Sequence, residues 1–290
     1  MSSQIQTKVD RLIVGCGYLG LRVARRWLEQ GLNVVVTTRS QDKAARFQKL
    51  GLQPIVCDVL DVASLRQLPE SEIVLHAVAV DRASGQSMRS VYLEGLQNLL
   101  TIFEGRCHRY FYVSSTGVYG QVAGEEVTEQ SVCKPTRENG QICLEAENLV
   151  RAAKIDSLIF RLAGIYGPDR LIARINQRKE ALPVPGNPDA WLNLVHVADC
   201  VAAIVAGSEA DLRNETFLVS DDQPIRRREY YSLLAELLQA PPPVFSSELK
   251  DPKGERGAGK RCNNSKLHKT LLQGLQYPTI IQGLPDAISG

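Results

Sequence analysis

The 290-residue sequence lacks any long apolar run and any excess of charge of one sign. Its 34 Lys and Arg residues nearly balance its 32 Asp and Glu residues, so the net charge of +2 gives no electrostatic basis for binding nucleic acid. No apolar stretch approaches the roughly 20 residues that cross a bilayer. The opening segment MSSQIQTKVD has no apolar core of the kind found in signal peptides. We therefore predict a cytoplasmic protein that binds neither nucleic acid nor membranes.

Metal-ligand spacing is also missing from the sequence. The seven cysteines are scattered, with neither a CxxC pair nor a Cys/His combination at ligand spacing. An odd number of cysteines in a reducing compartment is typical of free, mostly buried thiols. We predict no metal site.

The first half of the chain alternates short β-branched runs with amphipathic helical stretches. The predicted strands are Leu12–Val14, Asn33–Thr38, Gln53–Cys57, Ile73–Ala77, Tyr110–Ser114 and Ser157–Leu162. Helical patterns such as Gln41–Leu50 and Met88–Phe103 lie between them. This alternation predicts an α/β fold with a doubly wound parallel Rossmann sheet.

The pattern loosens after Ile165, where LPVPGNPDAW and APPPVF are Pro-rich turn and spacer segments. We predict a Rossmann domain over residues 10–165, to which residues 191–220 return. Residues 166–290 are expected to form a small interleaved C-terminal substrate lobe over the carboxyl ends of the strands, where open α/β sheets bind ligands. The polar segment Lys250–Arg261 is predicted to be a surface loop.

A strand, a glycine turn and a helix follow one another in RLIVGCGYLG, which begins at Arg11. This is the context that gives G-x-G-x-x-G its meaning as a dinucleotide-binding loop. The first glycine permits the tight turn, the second lets a pyrophosphate approach the backbone, and the third allows close packing of helix and strand. The predicted cofactor-binding residues of the loop are Gly15, Cys16, Gly17, Tyr18, Leu19 and Gly20.

The identity of the dinucleotide depends on the end of the second strand, NVVVTTRS. No carboxylate is available there for an adenosine 2′-hydroxyl, whereas Arg39 offers a charge-assisted bond to a 2′-phosphate. We predict NADP, with NAD as the alternative if Arg39 is only a solvated surface residue. Asp58 is placed to reach the adenine amino group, or else to cap a helix. Three small residues after the fourth strand let the cofactor lie against the backbone: Ala77, Val78 and Ala79.

Several blocks of the chain resemble the extended short-chain dehydrogenase/reductase (SDR) superfamily of NAD(P)-dependent epimerases, dehydratases and reductases, and its atypical YeeZ-like branch in particular. The matching blocks are YVSSTGVYG, FRLAGIYGPDR, NLVHVADCVAAI, FLVSDDQPIRRREYYSLL and NNSKLHKTLLQGLQYP. The resemblance extends from about Arg11 to Leu284. It implies a Rossmann fold, a nicotinamide cofactor and a substrate pocket in the C-terminal lobe.

The resemblance places the family's catalytic hydroxyl at Ser115, with Thr116 beside it. The family's Tyr-x-x-x-Lys pair is missing, because Asn139 stands at the tyrosine place and Cys143 at the lysine place. The usual mechanism needs a phenol whose pKa is lowered by an ammonium and by the cofactor, so it is not expected here.

Other residues are candidates for the missing acid or base. Tyr119 and Tyr166, the tyrosines of VYG and IYG, are expected near the strand ends, as acids or as structural hydrogen-bond donors. His196 suits a base by residue type, but the resembling segment places it away from the nicotinamide. Asp199 is expected to cap a helix. Glu125 and Glu126 follow the VYG turn and are expected on a solvated loop, with a place in the pocket lining as the alternative. Cys143 lacks the basic partner that a nucleophile needs.

Basic residues after the sixth predicted strand share one helical face and border the region where the extended family binds substrates, often nucleotide sugars. Arg170 and Arg174 are the predicted substrate-binding pair, with Arg178 and Lys179 on the same face; a solvated helix face is the alternative. Further basic residues are Lys260, Arg261 and Arg226–Arg228, the last group expected at the surface.

Two classes of function remain open. One is an NAD(P)-dependent oxidoreductase or epimerase/dehydratase of the SDR type, acting on a small or nucleotide-linked substrate with a non-standard acid–base group. The other is a catalytically silent dinucleotide-binding sensor or partner-binding protein. We expect a monomer or homodimer.

Overall fold

A computed structural model describes residues 8–81, 84–246, 249 and 259–289. Most of the predicted Lys250–Arg261 loop lies outside these residues. The strands, in chain order, are β1 Lys8–Val14, β2 Val34–Thr38, β3 Gln53–Val56, β4 Glu70–His76, β5 Cys107–Ser115, β6 Glu126–Val127, β7 Asp156–Leu162, β8 Gly164–Tyr166, β9 Val184–Pro185, β10 Trp191–Leu192, β11 Leu194–His196, β12 Glu215–Val219, β13 Ile225–Arg226, β14 Phe245–Ser246 and β15 Arg261–Cys262.

Helices follow most of the longer strands. They are α1 Tyr18–Glu29, α2 Gln41–Lys49, α3 Val62–Leu65, α4 Gly95–Phe103, α5 Glu138–Ala152, α6 Ile172–Lys179, α7 Val197–Glu209, α8 Arg227–Leu237, α9 Ser265–Thr270 and α10 Ile280–Ser289. The first helix shows why the chain folds this way: Leu19, Val23 and Trp27 recur every fourth residue and are buried.

Seven strands form the central sheet, in the order β12-β7-β5-β4-β1-β2-β3. The pairs from β3 to β5 are parallel, for example with Ile13 opposite Val36 on one side and Leu75 on the other. The strand order reverses between β1 and β4, which is the switch point at which doubly wound sheets bind ligands. The predicted α/β Rossmann fold is confirmed.

The predicted helical stretch Met88–Phe103 is interrupted. Residues Ser90–Glu94 form a π-helical turn before α4 begins at Gly95. A Cβ at position 95 would lie 2.5 Å from a methyl group of Val59. Because residue 95 is glycine, the start of α4 can pack closely against the loop that follows β3. The wider turn is invisible in the 3.6-residue periodicity of the sequence.

The chain divides into two compact units. The first contains Met1–Val118, Pro135–Arg161 and Ile204–Phe217, and the second contains Tyr119–Lys134, Leu162–Ala203 and Leu218–Gly290. The functional assignment of the two parts stays a prediction: a Rossmann domain over residues 10–165 with 191–220, and a substrate lobe over residues 166–290.

Each unit has its own apolar core. In the first, residues of β1, β4 and β5 pack with α4, including Leu12, Val74 and Phe103, each 0% exposed. In the second, side chains from α6, α8, α10 and the short strands pack around Tyr166, Tyr230 and Leu284. The short pairings β8–β11, β10–β13, β9–β14 and β6–β15 all belong to this second unit.

Candidate cofactor and active site

The glycine loop lies between β1 and α1, and each glycine has a distinct steric role. Gly15 has a φ of +92°, and a Cβ there would lie 2.6 Å from the Val78 backbone nitrogen. At Gly20 a Cβ would lie 2.6 Å from the Gly15 carbonyl oxygen, so helix and strand pack closely only because this residue is glycine. Gly17 has no atom within 4 Å of a Cβ position and leaves open space above the backbone.

The start of α1 is prepared for an anion. Gly17 precedes the helix and has no side chain to cap it, and the first turn carries no acidic residue. The peptide dipoles therefore present an uncompensated positive end to the open space above Gly17. Thr37 at the end of β2 holds the loop, since its hydroxyl accepts a hydrogen bond from the Gly15 N–H at 3.2 Å and its carbonyl from the Cys16 N–H at 3.4 Å. These residues fit a dinucleotide pyrophosphate.

The side chains of the loop point elsewhere. Cys16 and Leu19 are buried, and burial raises the pKa of the Cys16 thiol to about 12, so the thiol is neutral. The guanidinium carbon of Arg22 lies 4.0 Å from the centre of the Tyr18 ring. The loop therefore offers mainly its backbone to a ligand.

Arg39 follows β2 in an exposed network that the sequence did not predict. Its guanidinium donates to the Gln86 side-chain oxygen at 2.7 Å and pairs with the Asp81 carboxylate at 3.3 Å. It also lies 4.0 Å from Asp58, which accepts a hydrogen bond from the Gln86 amide. Asp58 accepts from the Leu60 N–H as well, whereas the cap of α3 is Asp61.

Small residues follow β4 at the same edge of the sheet. Ala77 and Val78 are partly exposed, Ala79 is exposed, and the Ala77 N–H donates to the Val14 carbonyl at 2.8 Å. Because Gly15 packs directly on the Ala77 backbone, this segment borders the glycine loop. The structure thus brings the predicted residues of the loop and of this segment together.

Ser115 is the last residue of β5 and is partly exposed, and its hydroxyl accepts a hydrogen bond from the Gly117 N–H at 3.1 Å. Thr116 begins a short 3₁₀ turn and is buried. At the place of the family's tyrosine, Asn139 is exposed on the first turn of α5. At the lysine place Cys143 is buried, and burial raises the pKa of its thiol to about 11. No cation therefore occupies that position.

Both tyrosines singled out in the sequence are buried in the second unit. Tyr119 is 4% exposed, and the Lys260 ammonium lies 6.0 Å from the centre of its ring. Tyr166 is 1% exposed, and its hydroxyl lies directly against Gly283 of α10. Burial raises the pKa of Tyr166 far above its ordinary value, which disfavours its ionisation.

His196 and Asp199 have structural partners. The His196 ring lies edge-on to Tyr166, and its Nε2 is 3.0 Å from the Asp286 carboxylate. The Asp199 carboxylate accepts from the backbone N–H groups of Gln276 and Tyr277, and so holds the C-terminal segment instead of capping α7. The loop glutamates are likewise engaged, Glu125 with the Ala123 N–H and Glu126 with Asn263.

The basic residues after β8 do not form one solvated face. Arg170 is exposed, whereas the Arg174 guanidinium lies 5.2 Å from the centre of the Tyr230 ring and Arg178 is buried, donating to the Leu182 carbonyl. The expected surface position of Arg226–Arg228 is wrong for Arg227, which is buried and donates to the Pro185 carbonyl at 2.5 Å.

A cleft of about 510 Å³ lies within the second unit. Trp191 lines it, with the guanidinium carbons of Arg226 and Arg261 at 3.7 and 5.9 Å from the centre of the indole ring. The cleft is bordered by Asn187 and Asp189, whose carboxylate pairs with Arg228 at 2.5 Å. Sequence reasoning listed the arginines but missed Trp191.

Among the described residues, no three His, Cys, Asp or Glu side chains are grouped as metal ligands would be. No helix found there combines the length and apolar character that a membrane span requires.

Comparisons with known proteins agree with this geometry. Residues 12–220 match the model of the NAD dependent epimerase/dehydratase family. The chain belongs to this family. It is also 31% identical to Protein YeeZ of Escherichia coli K12 over 278 residues, 92% of this chain and 95% of that protein, which confirms the atypical SDR relationship.

The chain is also similar, at lower identity, to proteins whose names state a reaction. The 4-hydroxy-2-methyl-3-oxo-4-farnesyl-3,4-dihydroquinoline-1-oxide ketoreductase of Stigmatella aurantiaca is 24% identical over 77% of this chain and 71% of its own. The UDP-glucuronic acid 4-epimerase of Bacillus cereus, solved with NAD, superposes with a TM-score of 0.79 at 20% identity over 97% of both chains. The latter likeness shows the shared fold.

Proposed function

We propose that this chain is an NADP-preferring oxidoreductase or epimerase/dehydratase of the SDR type, with NAD as the alternative cofactor. Its substrate would be a small or nucleotide-linked carbonyl or hydroxyl compound. The observation that carries the proposal is the glycine loop, in which Gly17 leaves open space at the start of α1, combined with Arg39 at the end of the next strand.

Each part of the loop region has a role toward the cofactor. The backbone of the glycine loop would hold the pyrophosphate, Arg39 would bind a 2′-phosphate, and Asp58 would accept from the adenine amino group. The exposed backbone of Ala77–Ala79 would lie against the nicotinamide half. When bound, the dinucleotide supplies or accepts a hydride. The NAD-bound Bacillus cereus epimerase supports a nicotinamide cofactor in this fold.

Toward the substrate, Ser115 would donate a hydrogen bond to the reacting oxygen, with Thr116 supporting the turn that follows. Arg170 remains a candidate for an anionic group because it is exposed, whereas Arg174 is already stacked on Tyr230. The cationic cleft around Trp191 supports a substrate with a phosphate or carboxylate group. A cytoplasmic location and a monomer or homodimer are part of this proposal.

The rival function is a silent NADP-binding sensor or partner-binding protein. It is favoured by Asn139, which cannot titrate, and by the buried, neutral thiol of Cys143 at the place of the family's lysine.

Two measurements on the purified chain separate these functions. Fluorescence titration should give a lower Kd for NADPH than for NADH, and Arg39→Ala should raise the Kd for NADPH by about ten-fold or more through loss of a charge-assisted bond. Arg46→Ala, an exposed arginine of α2, is the matched control. Tighter binding of NADH would overturn the NADP preference. Transfer of deuterium from labelled NADPH to a panel of carbonyl compounds would reject the silent sensor, and binding without transfer would reject the enzyme.

A further inference from the structure

We propose that Tyr92 is the acid–base residue of this chain and replaces the tyrosine that the family's motif lacks. The proposal rests on the proposed function. It is carried by the π-helical turn that holds Tyr92, by the partial exposure of this residue, and by its link to the segment that follows β4.

The backbone around Tyr92 is unusual. Residues Ser90–Glu94 form a π-helical turn, and Tyr92 is the middle residue of the five. Such wide turns are rare and concentrate at functional sites, because they cost regular hydrogen bonding and re-aim a side chain. Here the turn lies between the segment after β4 and α4, and it packs against α5, the helix that carries Cys143.

Exposure separates Tyr92 from most other tyrosines. The chain has nine tyrosines, all among the described residues, and six of them are buried. The buried phenols are those of Tyr110, Tyr112, Tyr119, Tyr166, Tyr230 and Tyr231. The others are Tyr18, Tyr92 and Tyr277, which are partly exposed, and only the first two lie in the unit that contains the glycine loop. Tyr18 stacks with Arg22 at the start of α1. Tyr92 is therefore the partly exposed tyrosine of this unit that is linked to the segment after β4.

The surroundings of the Tyr92 hydroxyl connect it to the cofactor segment. Burial raises its pKa, and the nearby Cys143 thiol raises it further, whereas a hydrogen bond with the Val80 backbone lowers it. Val80 directly follows Ala77–Ala79, the residues proposed to lie against the nicotinamide half. Tyr112 of β5 interacts with both Tyr92 and Cys143. Arg89, directly before the turn, forms an exposed ion pair with Glu145 of α5.

The position agrees with that of Ser115. Strands β4 and β5 are neighbours in the sheet and run parallel, so their carboxyl ends meet at one edge. Ser115 ends β5, and Tyr92 is tied through Val80 to the segment after β4. The serine hydroxyl that would orient the substrate oxygen ends β5, and the phenol that would exchange a proton with it is linked to the segment that follows the adjacent strand β4.

In the reduction of a carbonyl compound, the carbonyl carbon would accept a hydride from bound NADPH, which becomes NADP⁺; a C–H bond would form and the C=O π electrons would move to the oxygen. That oxygen takes the phenolic proton of Tyr92, which leaves a tyrosinate and an alcohol. Because Tyr92 is partly exposed, the tyrosinate is reprotonated by water. Oxidation of an alcohol reverses each transfer.

The test compares the wild-type chain with Tyr92→Phe. Tyr112→Phe is the matched control, since it removes a buried phenol beside the same thiol. The first readout is independent of activity: the tyrosinate absorbance at 295 nm is titrated with and without NADP⁺, and the difference between wild type and Tyr92→Phe isolates the Tyr92 phenol. We expect NADP⁺ to lower the pKa of Tyr92 by about one unit or more, because the nicotinamide ring is positively charged. The difference between wild type and Tyr112→Phe isolates the Tyr112 phenol, and NADP⁺ should not change its pKa.

The second readout is the pH dependence of deuterium transfer from labelled NADPH to the carbonyl panel. Tyr92→Phe should lower the rate by about 10²-fold or more and remove one limb of the pH profile, with the Kd for NADPH unchanged. An unchanged rate and pH profile would overturn the role of Tyr92 while the proposed function stands. If the wild type transfers no deuterium, the proposed function fails, and the titration alone tests the position of Tyr92. A Tyr92 pKa that is the same with and without NADP⁺ would exclude this residue from the cofactor site.

Discussion

The Arg161 guanidinium clamps the Glu147 carboxylate with three hydrogen bonds inside the first unit, from Nε at 3.0 and 3.2 Å and from Nη2 at 2.7 Å. The two side chains are 4% and 0% exposed. Ser114 and Arg151 donate to the same carboxylate at 2.6 and 2.7 Å. This cluster fastens α5, which carries Asn139 and Cys143, to strands β5 and β7.

Glu147→Gln should lower the free energy of unfolding by about 3–5 kcal/mol, because it leaves a buried guanidinium without its counter-charge. Replacing both partners, as Glu147→Leu with Arg161→Met, should cost much less than either Glu147→Leu or Arg161→Met alone. Urea denaturation of the wild type, these two single variants and the double variant measures the coupling. Glu145→Gln is the control, since its pair with Arg89 is exposed and is expected to contribute less than about 1 kcal/mol. If the changes in the free energy of unfolding of the two single variants add up to that of the double variant, the coupling between Glu147 and Arg161 is contradicted.

Replacing two glycines of the same loop with alanine should have different effects on stability. Gly20→Ala would press a methyl against the Gly15 carbonyl, so it should lower the melting temperature and NADPH affinity together. Gly17→Ala meets no atom within 4 Å and should leave stability unchanged within about 1 kcal/mol. Its methyl would occupy the space needed by the pyrophosphate, so NADPH affinity should still fall. Thermal unfolding combined with a fluorescence titration separates the two, and unchanged affinity in Gly17→Ala would disprove this placement of the pyrophosphate.

Acid sensitivity should reflect His76 at the end of β4. Its ring is fully buried, Nδ1 lies 2.7 Å from the Tyr110 hydroxyl, and burial lowers its pKa to about 3. In the unfolded chain a histidine pKa is about 6.5. Below that pH the imidazole is protonated in the unfolded state but stays neutral in the folded state. The free energy of unfolding therefore decreases as the pH is lowered from about 6.5 to 3, by up to about 1.4 kcal/mol per pH unit.

His76→Gln should flatten the stability profile between pH 6.5 and 5, measured by urea denaturation at each pH. This window lies above the one for Glu147, whose pKa is raised by burial but lowered overall by the hydrogen bonds and charge of Arg161 and its neighbours. A carboxyl group with a lowered pKa loses its stabilising contribution only as pH falls through the carboxylate range. The exposed His108 of β5 supplies the control variant His108→Gln. Equal slopes in wild type and His76→Gln would count against the buried neutral imidazole.

Local patterns were sufficient for much of the fold. The β-branched runs predicted six strands of the central sheet, and the order of strand, glycines and helix predicted the loop at Gly15, because short-range periodicity and backbone sterics determine both. The π-helical turn at Tyr92 has no such signature, and α4 begins directly after it at Gly95, which lies close to Val59. The burial of Tyr166 against Gly283 joins residues more than 100 positions apart, which no spacing rule reveals.

The network around Arg39 shows the same limit at the site itself. The sequence indicated an arginine near the adenosine ribose, but its partners Asp81 and Gln86 come from the segment after β4 and meet it only in the folded chain. Ser40, by contrast, caps α2 from the next position through a local bond to the Lys43 N–H, a pattern that sequence reasoning can recognise.

Asp81→Asn should therefore strengthen NADPH binding without affecting NADH. In the wild type a 2′-phosphate must compete with the Asp81 carboxylate, 3.3 Å from Arg39, for the same guanidinium. Exposed ion pairs contribute about 0.2–1 kcal/mol, so removing this one should lower the Kd for NADPH by up to about five-fold. The control Glu29→Gln breaks the exposed pair with Arg26, at 3.2 Å, and should change neither Kd. Parallel titrations with NADPH and NADH measure the effect at low ionic strength, where the competition is least screened. An equal gain for both cofactors, or a loss for NADPH, would show that Asp81 acts on the loop and not on the charge of Arg39.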